Sequence, residues 1–217
     1  VRAVAVHERA LVVEHRRDRR QVLLEEPDGV RVRDHHRRRD DESRDDARHE
    51  QSERCHLIVL PGGFSPTLLG LTPQGWMRQW DSDGLVSPRE WAGSESALAR
   101  AGAVVLSRED VNGDDVLIEH MAGQTKILVV TEGAAGAVLY WHGDRRRFRA
   151  PTVREVDATG AGDIFATAFF VRYLNTRDPW EATRFATLLA SHSVERAGLD
   201  GIPNKLEIEQ CMMVVIP

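Results

Sequence analysis

The stretch DATGAGD, from Asp157 to Asp163, contains the residues of this chain whose types and spacing could do chemistry. Three small residues, Gly160, Ala161 and Gly162, stand between two carboxylates, and an apolar helical pattern follows at once. Helix N-termini have free N–H groups and a partial positive charge, so an uncrowded N-terminus can bind an anion, typically a phosphate. A carboxylate beside a bound phosphate can take a proton from a hydroxyl that attacks phosphorus. The spacing therefore indicates a phosphoryl-transfer site.

A simpler interpretation gives this stretch no chemical role. Asp163 would be an acidic residue of a first helical turn, and the glycines would form a tight turn. A short Gly-x-Gly taken alone favours this simpler interpretation, so the argument for chemistry depends on the whole string.

The whole string resembles the signature Asp-x-Thr-Gly-Ala-Gly-Asp of the ribokinase/PfkB family of sugar and nucleoside kinases, and all six specified positions match. The resemblance extends from about residue 66 to residue 203. It implies a catalytic base and an anion hole for the transferring phosphoryl group. The base is Asp163, and the hole is formed by Gly160, Ala161 and Gly162.

Two further positions and one turn concern metal ions. The resemblance implies that Asp157 and Thr159 take part in a site for a monovalent cation, usually potassium. Many family members have Asn-x-x-Glu after an earlier strand, where it organises magnesium. The matching string here is SRED, in which Ser107 replaces Asn and Asp110 replaces Glu. Asp110 is thus the implied magnesium residue, and Glu109 is the alternative acid, because Mg²⁺ prefers oxygen ligands.

Other segments resemble the ATP-binding elements of the family. Thr131, Gly133 and Gly136 match the strand-Thr-x-Gly-x-x-Gly stretch that borders the phosphates and the base. Small residues of a later helix floor the adenine pocket in the family, which implies this role for Ala190 and Ser193, although both positions also suit helix packing. The cofactors implied are ATP and Mg²⁺, with K⁺ as a further ion.

The elements that must position these residues alternate between strands and helices. AVVLS and KILVVT read as short buried strands, and a helix is predicted that is capped by Asp178, has Pro179 in its first turn and is ended by Gly198. This alternation predicts an α/β fold. The resemblance makes it a ribokinase-like three-layer α/β/α fold with a largely parallel sheet, truncated at the N-terminal side. Ligands of such sheets bind at the carboxyl ends of the strands.

Residues 1–56 differ in composition from the rest of the chain. They contain no Phe, Trp or Tyr and mix many Arg and His residues with a similar number of acids. Such a segment buries too little apolar surface to order itself firmly. Three interpretations stay open: a charged, poorly ordered tail, an Arg-rich nucleic-acid arm, and a segment translated out of frame. Interleaved acids and absent aromatics weaken the second. We therefore predict one α/β domain over residues 57–217.

The chain as a whole has 217 residues and a net charge of −5, which gives no basic footprint for nucleic acid. Its two cysteines give no disulfide framework. No apolar run is long enough to span a membrane, and no secretory signal pattern is visible, so we expect a cytoplasmic protein. The sequence does not specify an oligomeric state.

The function implied by the resemblance is ATP-dependent transfer of the γ-phosphate to a hydroxyl of a sugar or nucleoside. The family's substrate half has a Gly-Gly motif and a lid, and PGG at residues 61–63 is too close to the catalytic motif to be that element. A non-catalytic nucleotide-binding remnant therefore stays open as the alternative. A P-loop is excluded because GxxxxGK[ST] is absent. The interpretation as a dinucleotide-binding oxidoreductase is weak, because Phe165 stands where the GxGxxG motif needs its third glycine.

Overall fold

The computed structural model describes residues 2–7, 10–14 and 66–213. The PGG stretch at 61–63 and most of the charged segment 1–56 lie outside the described residues. The strands are β1 (Arg2–His7), β2 (Ala10–Glu14), β3 (Leu68–Leu71), β4 (Arg78–Trp80), β5 (Val86–Pro88), β6 (Ala103–Ser107), β7 (Ile127–Thr131), β8 (Ala137–Trp141) and β9 (Asp144–Phe148). The α-helices are α1 (Ser94–Arg100), α2 (Asp115–Gln124), α3 (Ala161–Thr176), α4 (Pro179–Ser193) and α5 (Lys205–Met213).

The main sheet has the strand order β1-β2-β3-β6-β7-β8-β9, and β4 pairs with β5 in a separate hairpin. The pairs β3–β6 and β6–β7 are parallel, whereas the outer pairs are antiparallel. The prediction of an α/β fold is confirmed. The sheet is less parallel than predicted, because β7, β8 and β9 are consecutive strands with short connections, which require antiparallel pairing, and β2 also pairs antiparallel with β3.

Alternate residues of the central strands enter two separate cores. In β6, Ala103 and Val105 pack into the core shared with α3, α4 and α5, while Val104 and Leu106 pack on the opposite face with α1 and α2. A strand with helices on both faces needs apolar residues at every position, which explains the unbroken apolar run. Helices on both faces of one sheet give the three predicted layers.

Helix α3 packs very closely against the middle of the sheet. A Cβ added to Gly70 in β3 would lie 2.8 Å from the ring of Phe170, which is fully buried. The absence of a side chain at Gly70 therefore lets this helix approach β3. The contact fixes the helix whose first turn carries the predicted anion hole.

The start of α4 agrees with its sequence signals. The Asp178 carboxylate accepts hydrogen bonds from the N–H groups of Trp180 and Glu181, and Pro179 occupies the first turn. The helix ends at Ser193, before the predicted Gly198, because Gly198 begins a separate 3₁₀ turn. The cap is thus confirmed, and the end is corrected.

Strands β1 and β2 fall in the segment for which the sequence predicts no firm order. They pair antiparallel with each other, and β2 pairs antiparallel with β3. Without β2, β3 would be an edge strand with unpaired backbone groups, and a neighbouring strand can satisfy them with little dependence on side chains. The domain boundary at residue 57 stays a prediction.

No α-helix of the described ranges is both long enough and apolar enough to cross a membrane.

Candidate active site

The carboxyl ends of β3, β6 and β7 lie side by side at one edge of the sheet. The three strands are parallel neighbours, so the turns that follow them, Pro73–Trp76, Arg108–Val111 and Gly133–Ala135, lie at the same edge. A cavity of about 560 Å³ lies there, and the N-terminus of α3 borders it. This is the location expected for a ligand site in a sheet of this kind.

Most of the predicted site residues line this cavity. They are Asp163, Gly160, Ala161, Gly162, Thr131, Gly133, Gly136 and Ala190. The cavity lining does not include Ser193, Asp110, Asp157 or Thr159. The predicted catalytic motif and the Thr-x-Gly-x-x-Gly loop are therefore brought together, whereas three of the predicted cation residues and one predicted floor residue do not line the cavity.

The first turn of α3 is an open cradle for an anion. Gly160 caps the helix in the left-handed conformation, with φ of 80°, and provides no side-chain cap. Within the described part of the chain, the N–H groups of Gly162 and Asp163 have no backbone partner. A Cβ added to Gly160 or Gly162 would meet nothing within 4 Å. Free donors at an uncrowded helix N-terminus suit a phosphate group.

Asp163 presents an uncommitted carboxylate beside this cradle. It is exposed, lies in the first turn of α3 and has no hydrogen-bond or ion-pair partner among the described residues. The helix is anchored behind it by Phe165 and Phe169, which are buried in the core. A rigidly held, unpaired carboxylate next to an anion cradle can act as a general base.

The loop after β7 is held by its own backbone and by an ion-pair cluster. The Gly136 N–H donates to Gly133 O at 3.0 Å, and the Glu132 N–H donates to Gly136 O at 2.8 Å. The Glu132 carboxylate, whose side chain is 9% exposed, pairs with Arg147 Nη1 at 2.5 Å and with Arg108 Nη1 at 3.5 Å. The cluster ties the loop to β9 on one side and to the turn after β6 on the other.

Gly136 is required by packing as well as by its position in the cavity. Its φ is 99°, and an added Cβ would lie 2.0 Å from Phe148 O and 2.7 Å from Ala150 N. We expect Gly136→Ala to lower the free energy of unfolding by roughly 3 kcal/mol or more, measured by urea denaturation. Gly143→Ala is the control, because Gly143 has φ of 83° but open space around it. Gly143→Ala should lower the free energy of unfolding by about 1 to 2 kcal/mol. Equal losses in the two variants would contradict the packing role of Gly136.

Helix α4 supplies the floor of the cavity through one of its faces. Thr187, Ala190, Ser191 and Val194 line the cavity and recur at the spacing of three and four residues that places side chains on one helix face. Ser193 falls off this face; it is 4% exposed, and its hydroxyl donates to Ala190 O at 2.8 Å. Ser193 does not line the cavity, so its role beneath the adenine stays a prediction of the resemblance. Thr187 and Ser191 line the cavity and were not singled out from the sequence.

Asp157 acts as a clasp between two loops. Its Oδ1 accepts the Thr159 N–H at 2.9 Å, and its Oδ2 accepts the Gly198 N–H at 2.8 Å. The N–H groups of Val156 and Asp157 both donate to Val194 O. These bonds fix the segment before the cradle to the end of α4. Because both carboxylate oxygens hold backbone N–H groups outside the cavity, the role in binding potassium stays a prediction of the resemblance.

The clasp predicts a pH-dependent contribution to stability. The Gly198 N–H, followed by Thr159, lowers the pKa of Asp157 from its ordinary value of 3.8. A lowered carboxyl pKa gives stability that is present above the ordinary value and is lost as the pH falls through the folded value. We therefore expect Asp157→Asn to lower the urea midpoint at pH 7. The difference in urea midpoint between the variant and wild type should narrow below about pH 3.8. Asp144→Asn at the exposed first residue of β9 controls for loss of a surface charge. A difference in urea midpoint that stays constant with pH would contradict the clasp.

Asp110 lies inside the protein, whereas Glu109, the alternative acid, lies at the cavity. Asp110 is buried, its Oδ1 accepts from Arg78 Nη2 at 2.8 Å, and its Oδ2 accepts the Ser107 N–H at 2.9 Å. The Ser107 hydroxyl accepts the Glu109 N–H in return, which completes a capping box. Both Asp110 oxygens are thus engaged inside the protein, and Glu109 is the acid that lines the cavity.

Further lining residues, Gln74, Arg78 and Glu155, were not predicted from the sequence. Gln74 and Arg78 follow β3, whose carboxyl end is at the ligand edge of the sheet. The general rule for parallel strands was therefore the signal that could have identified them. Glu155 precedes the stretch Asp157 to Asp163, and no comparable signal in the sequence pointed to it.

The comparisons with solved structures define the fold class. The chain is similar to ribokinase from Thermotoga maritima, with a TM-score of 0.51 and 23% identity over 75% of this chain and 51% of that one. It is also similar to fructokinase from Vibrio cholerae O395, solved with fructose, ADP and a calcium ion, with a TM-score of 0.50 and 22% identity over 56% and 44% of the two chains. The fold is thus a ribokinase-like α/β fold.

The sequence comparisons relate part of the chain to known kinases. Residues 100–205 match the family model described as pfkB family carbohydrate kinase. A probable fructokinase-5 of Arabidopsis thaliana is 41% identical over 66 residues, which are 30% of this chain and 20% of the relative. Ribokinase of Bacillus subtilis is 39% identical over 87 residues, which are 39% of this chain and 29% of the relative. The chain spans a fifth to a third of the curated relatives it matches.

Proposed function

We propose that this chain is an ATP-dependent kinase that transfers the γ-phosphoryl group to a hydroxyl of a sugar or nucleoside. The observation that carries the proposal is the unpaired carboxylate of Asp163 in the same cavity as the open helix N-terminus at Gly160 and Gly162. A base and an anion cradle on one rigid helix are the two groups that phosphoryl transfer to a hydroxyl requires.

The roles of the residues follow from their positions. The free N–H groups of Gly162 and Asp163 would hold phosphate oxygens, and fixed dipoles of this kind stabilise developing charge without reorganisation. Asp163 would accept the proton of the attacking hydroxyl. The loop from Thr131 to Gly136 would border the nucleotide on the side of β7, and Ala190 on α4 would lie beneath it.

The donor set of the cavity fits a magnesium ion that accompanies a nucleotide. Glu109 and Glu155 offer carboxylate oxygens, and within the described ranges no group of three or more His, Cys, Asp and Glu residues could hold a metal ion by itself. Mg²⁺ commonly keeps several waters and binds through one or two carboxylates plus substrate phosphates. Glu109 is therefore the residue we propose for the magnesium, in place of Asp110. When bound, the metal would neutralise phosphate charge.

The relatives support the class of acceptor and no finer choice. They carry the names fructokinase and ribokinase, and the fructokinase from Vibrio cholerae O395 was solved with fructose and ADP. Both names denote kinases that act on sugars. We therefore keep the acceptor at the level of a sugar or nucleoside hydroxyl.

The test is transfer of labelled γ-phosphate by the purified 217-residue chain in the presence of Mg²⁺, K⁺ and a panel of sugars and nucleosides. We expect labelled product with at least one acceptor, above the rate of ATP hydrolysis without an acceptor. ATP binding without transfer to any acceptor would favour the alternative, a nucleotide-binding domain that has lost its substrate half. Absence of ATP binding would contradict both.

A further inference from the structure

Arg78 is the residue of the cavity that the proposed function leaves without a role. It lies in β4, directly after the turn that follows β3, and lines the same cavity as Asp163. Three of the described lining residues have carboxylates, namely Asp163, Glu109 and Glu155, whereas Arg78 alone among them has a cationic side chain. A triphosphate in this cavity would face three like charges and one opposite charge.

The guanidinium of Arg78 is held in place by a buried acid. Its Nη2 donates to Asp110 Oδ1 at 2.8 Å, and the Asp110 side chain is 3% exposed while that of Arg78 is 38% exposed. The other oxygen of Asp110 accepts the Ser107 N–H at the end of β6. Arginine has five N–H donors, and the bond to Asp110 is the one hydrogen bond of this side chain among the described residues. The remaining donors are free for a ligand.

The packing of the helices places Arg78 toward the end of the cavity that holds the base. Helix α3, which begins with the cradle and Asp163, packs on β2, β3 and β6, whereas α4 packs on β8 and β9. Arg78 follows β3, so it belongs to the α3 side. Ala190 is on α4, and Gly136 immediately precedes β8. A nucleotide whose base lies near α4 would therefore point its terminal phosphate toward Asp163 and Arg78.

We infer that Arg78 contacts the terminal phosphoryl group of the bound nucleotide and stabilises its charge during transfer, with Asp110 as the positioning residue of Arg78. The inference rests on the proposed function. A guanidinium that Asp110 already holds in position needs little reorganisation when charge develops. Its planar set of N–H donors matches the geometry of phosphate oxygens. Arg78 keeps its own protons in the step in which the acceptor oxygen bonds to phosphorus, the bond from phosphorus to the ADP oxygen breaks, and Asp163 receives the hydroxyl proton.

The test compares the affinities of ATP and ADP, measured by calorimetry with Mg²⁺, in wild type and Arg78→Gln. A group that contacts the terminal phosphoryl should affect ATP far more than ADP. We expect ATP binding to weaken about tenfold or more and ADP binding to stay close to the wild-type value. Arg89→Gln is the matched control, since Arg89 directly follows β5 and does not line the cavity. Both affinities should be unchanged in that variant.

Three further variants separate this role from a loss of folding. Arg78→Gln leaves the buried carboxylate of Asp110 without its cation, so the double variant Arg78→Gln/Asp110→Asn removes both charges and should show the same loss for ATP alone. Arg78→Lys keeps the positive charge but lacks the planar guanidinium, so its ATP affinity should lie between those of wild type and Arg78→Gln. Asp110→Asn keeps Arg78 but removes the carboxylate that holds it in position. It should weaken ATP binding more than ADP binding, by a smaller factor than Arg78→Gln does.

The outcomes distinguish this inference from the proposed function. Equal weakening of ATP and ADP in Arg78→Gln and in the double variant, or no change in either, would overturn the role of Arg78. Full transfer by Asp163→Asn would overturn the proposed base, while a selective loss of ATP affinity in Arg78→Gln would still support Arg78. Failure of the wild-type chain to bind either nucleotide would overturn both.

Discussion

Asp163→Asn is expected to lower the rate of phosphoryl transfer about 1,000-fold while leaving the affinity for ATP nearly unchanged. The substitution keeps the size of the side chain but removes its capacity to take a proton. Asp163 has no hydrogen-bond or ion-pair partner among the described residues, so the change breaks no such contact and α3 should fold as in wild type. Transfer is measured with labelled γ-phosphate at saturating ATP, and binding is measured by calorimetry.

Asp115→Asn is the matched control for this variant. Asp115 also lies in the first turn of an α-helix, α2, but it does not line the cavity, and its carboxylate pairs with Arg108. Its transfer rate should equal that of wild type. An Asp163→Asn rate within about tenfold of wild type would mean that proton transfer from the acceptor does not depend on this carboxylate.

Gly162→Val is expected to weaken ATP binding about 100-fold or more, because Gly162 lines the cavity and the new side chain would crowd a phosphate bound at the first turn of α3. An added Cβ at Gly162 meets nothing within 4 Å, so the protein itself has room for the substitution. The loss should therefore appear in nucleotide affinity and not in stability. Calorimetric titration of ATP and a urea unfolding curve measure the two quantities.

Gly123→Val provides the control for the presence of a valine in place of a helical glycine. Gly123 lies in α2, and a Cβ added there also meets nothing within 4 Å, but the residue is outside the cavity. We expect ATP affinity equal to that of wild type. Undiminished ATP binding by Gly162→Val would mean that the phosphates do not contact the N-terminus of α3.

Much of the fold was predictable because local patterns determine it. The apolar runs of β6 and β7 identify strands covered on both faces, and Asp178 followed by Pro179 identifies the start of α4. The motif before α3 likewise located the helix N-terminus and the Asp163 carboxylate that border the cavity, since these residues are contiguous. Features that depend on neighbours in sequence were therefore the ones that sequence analysis recovered.

The parts that were not predicted depend on contacts between distant residues. Asp110 is occupied by Arg78, 32 residues earlier, and Asp157 is occupied by Gly198, 41 residues later. A carboxylate is equally suited to a metal, an arginine or a backbone N–H group, so the sequence cannot tell which partner it meets. Glu109, rather than Asp110, lines the cavity because the capping box and Arg78 hold Asp110 inside.

The most direct test of the account is a crystal structure of the chain with Mg²⁺ and a non-hydrolysable analogue of ATP. We expect a phosphate oxygen about 3 Å from the N–H groups of Gly162 and Asp163, with the terminal phosphate beside the Asp163 carboxylate. Arg78 should contact that same phosphate. A nucleotide bound outside this cavity, or bound with its phosphates away from the N-terminus of α3, would contradict the central claim.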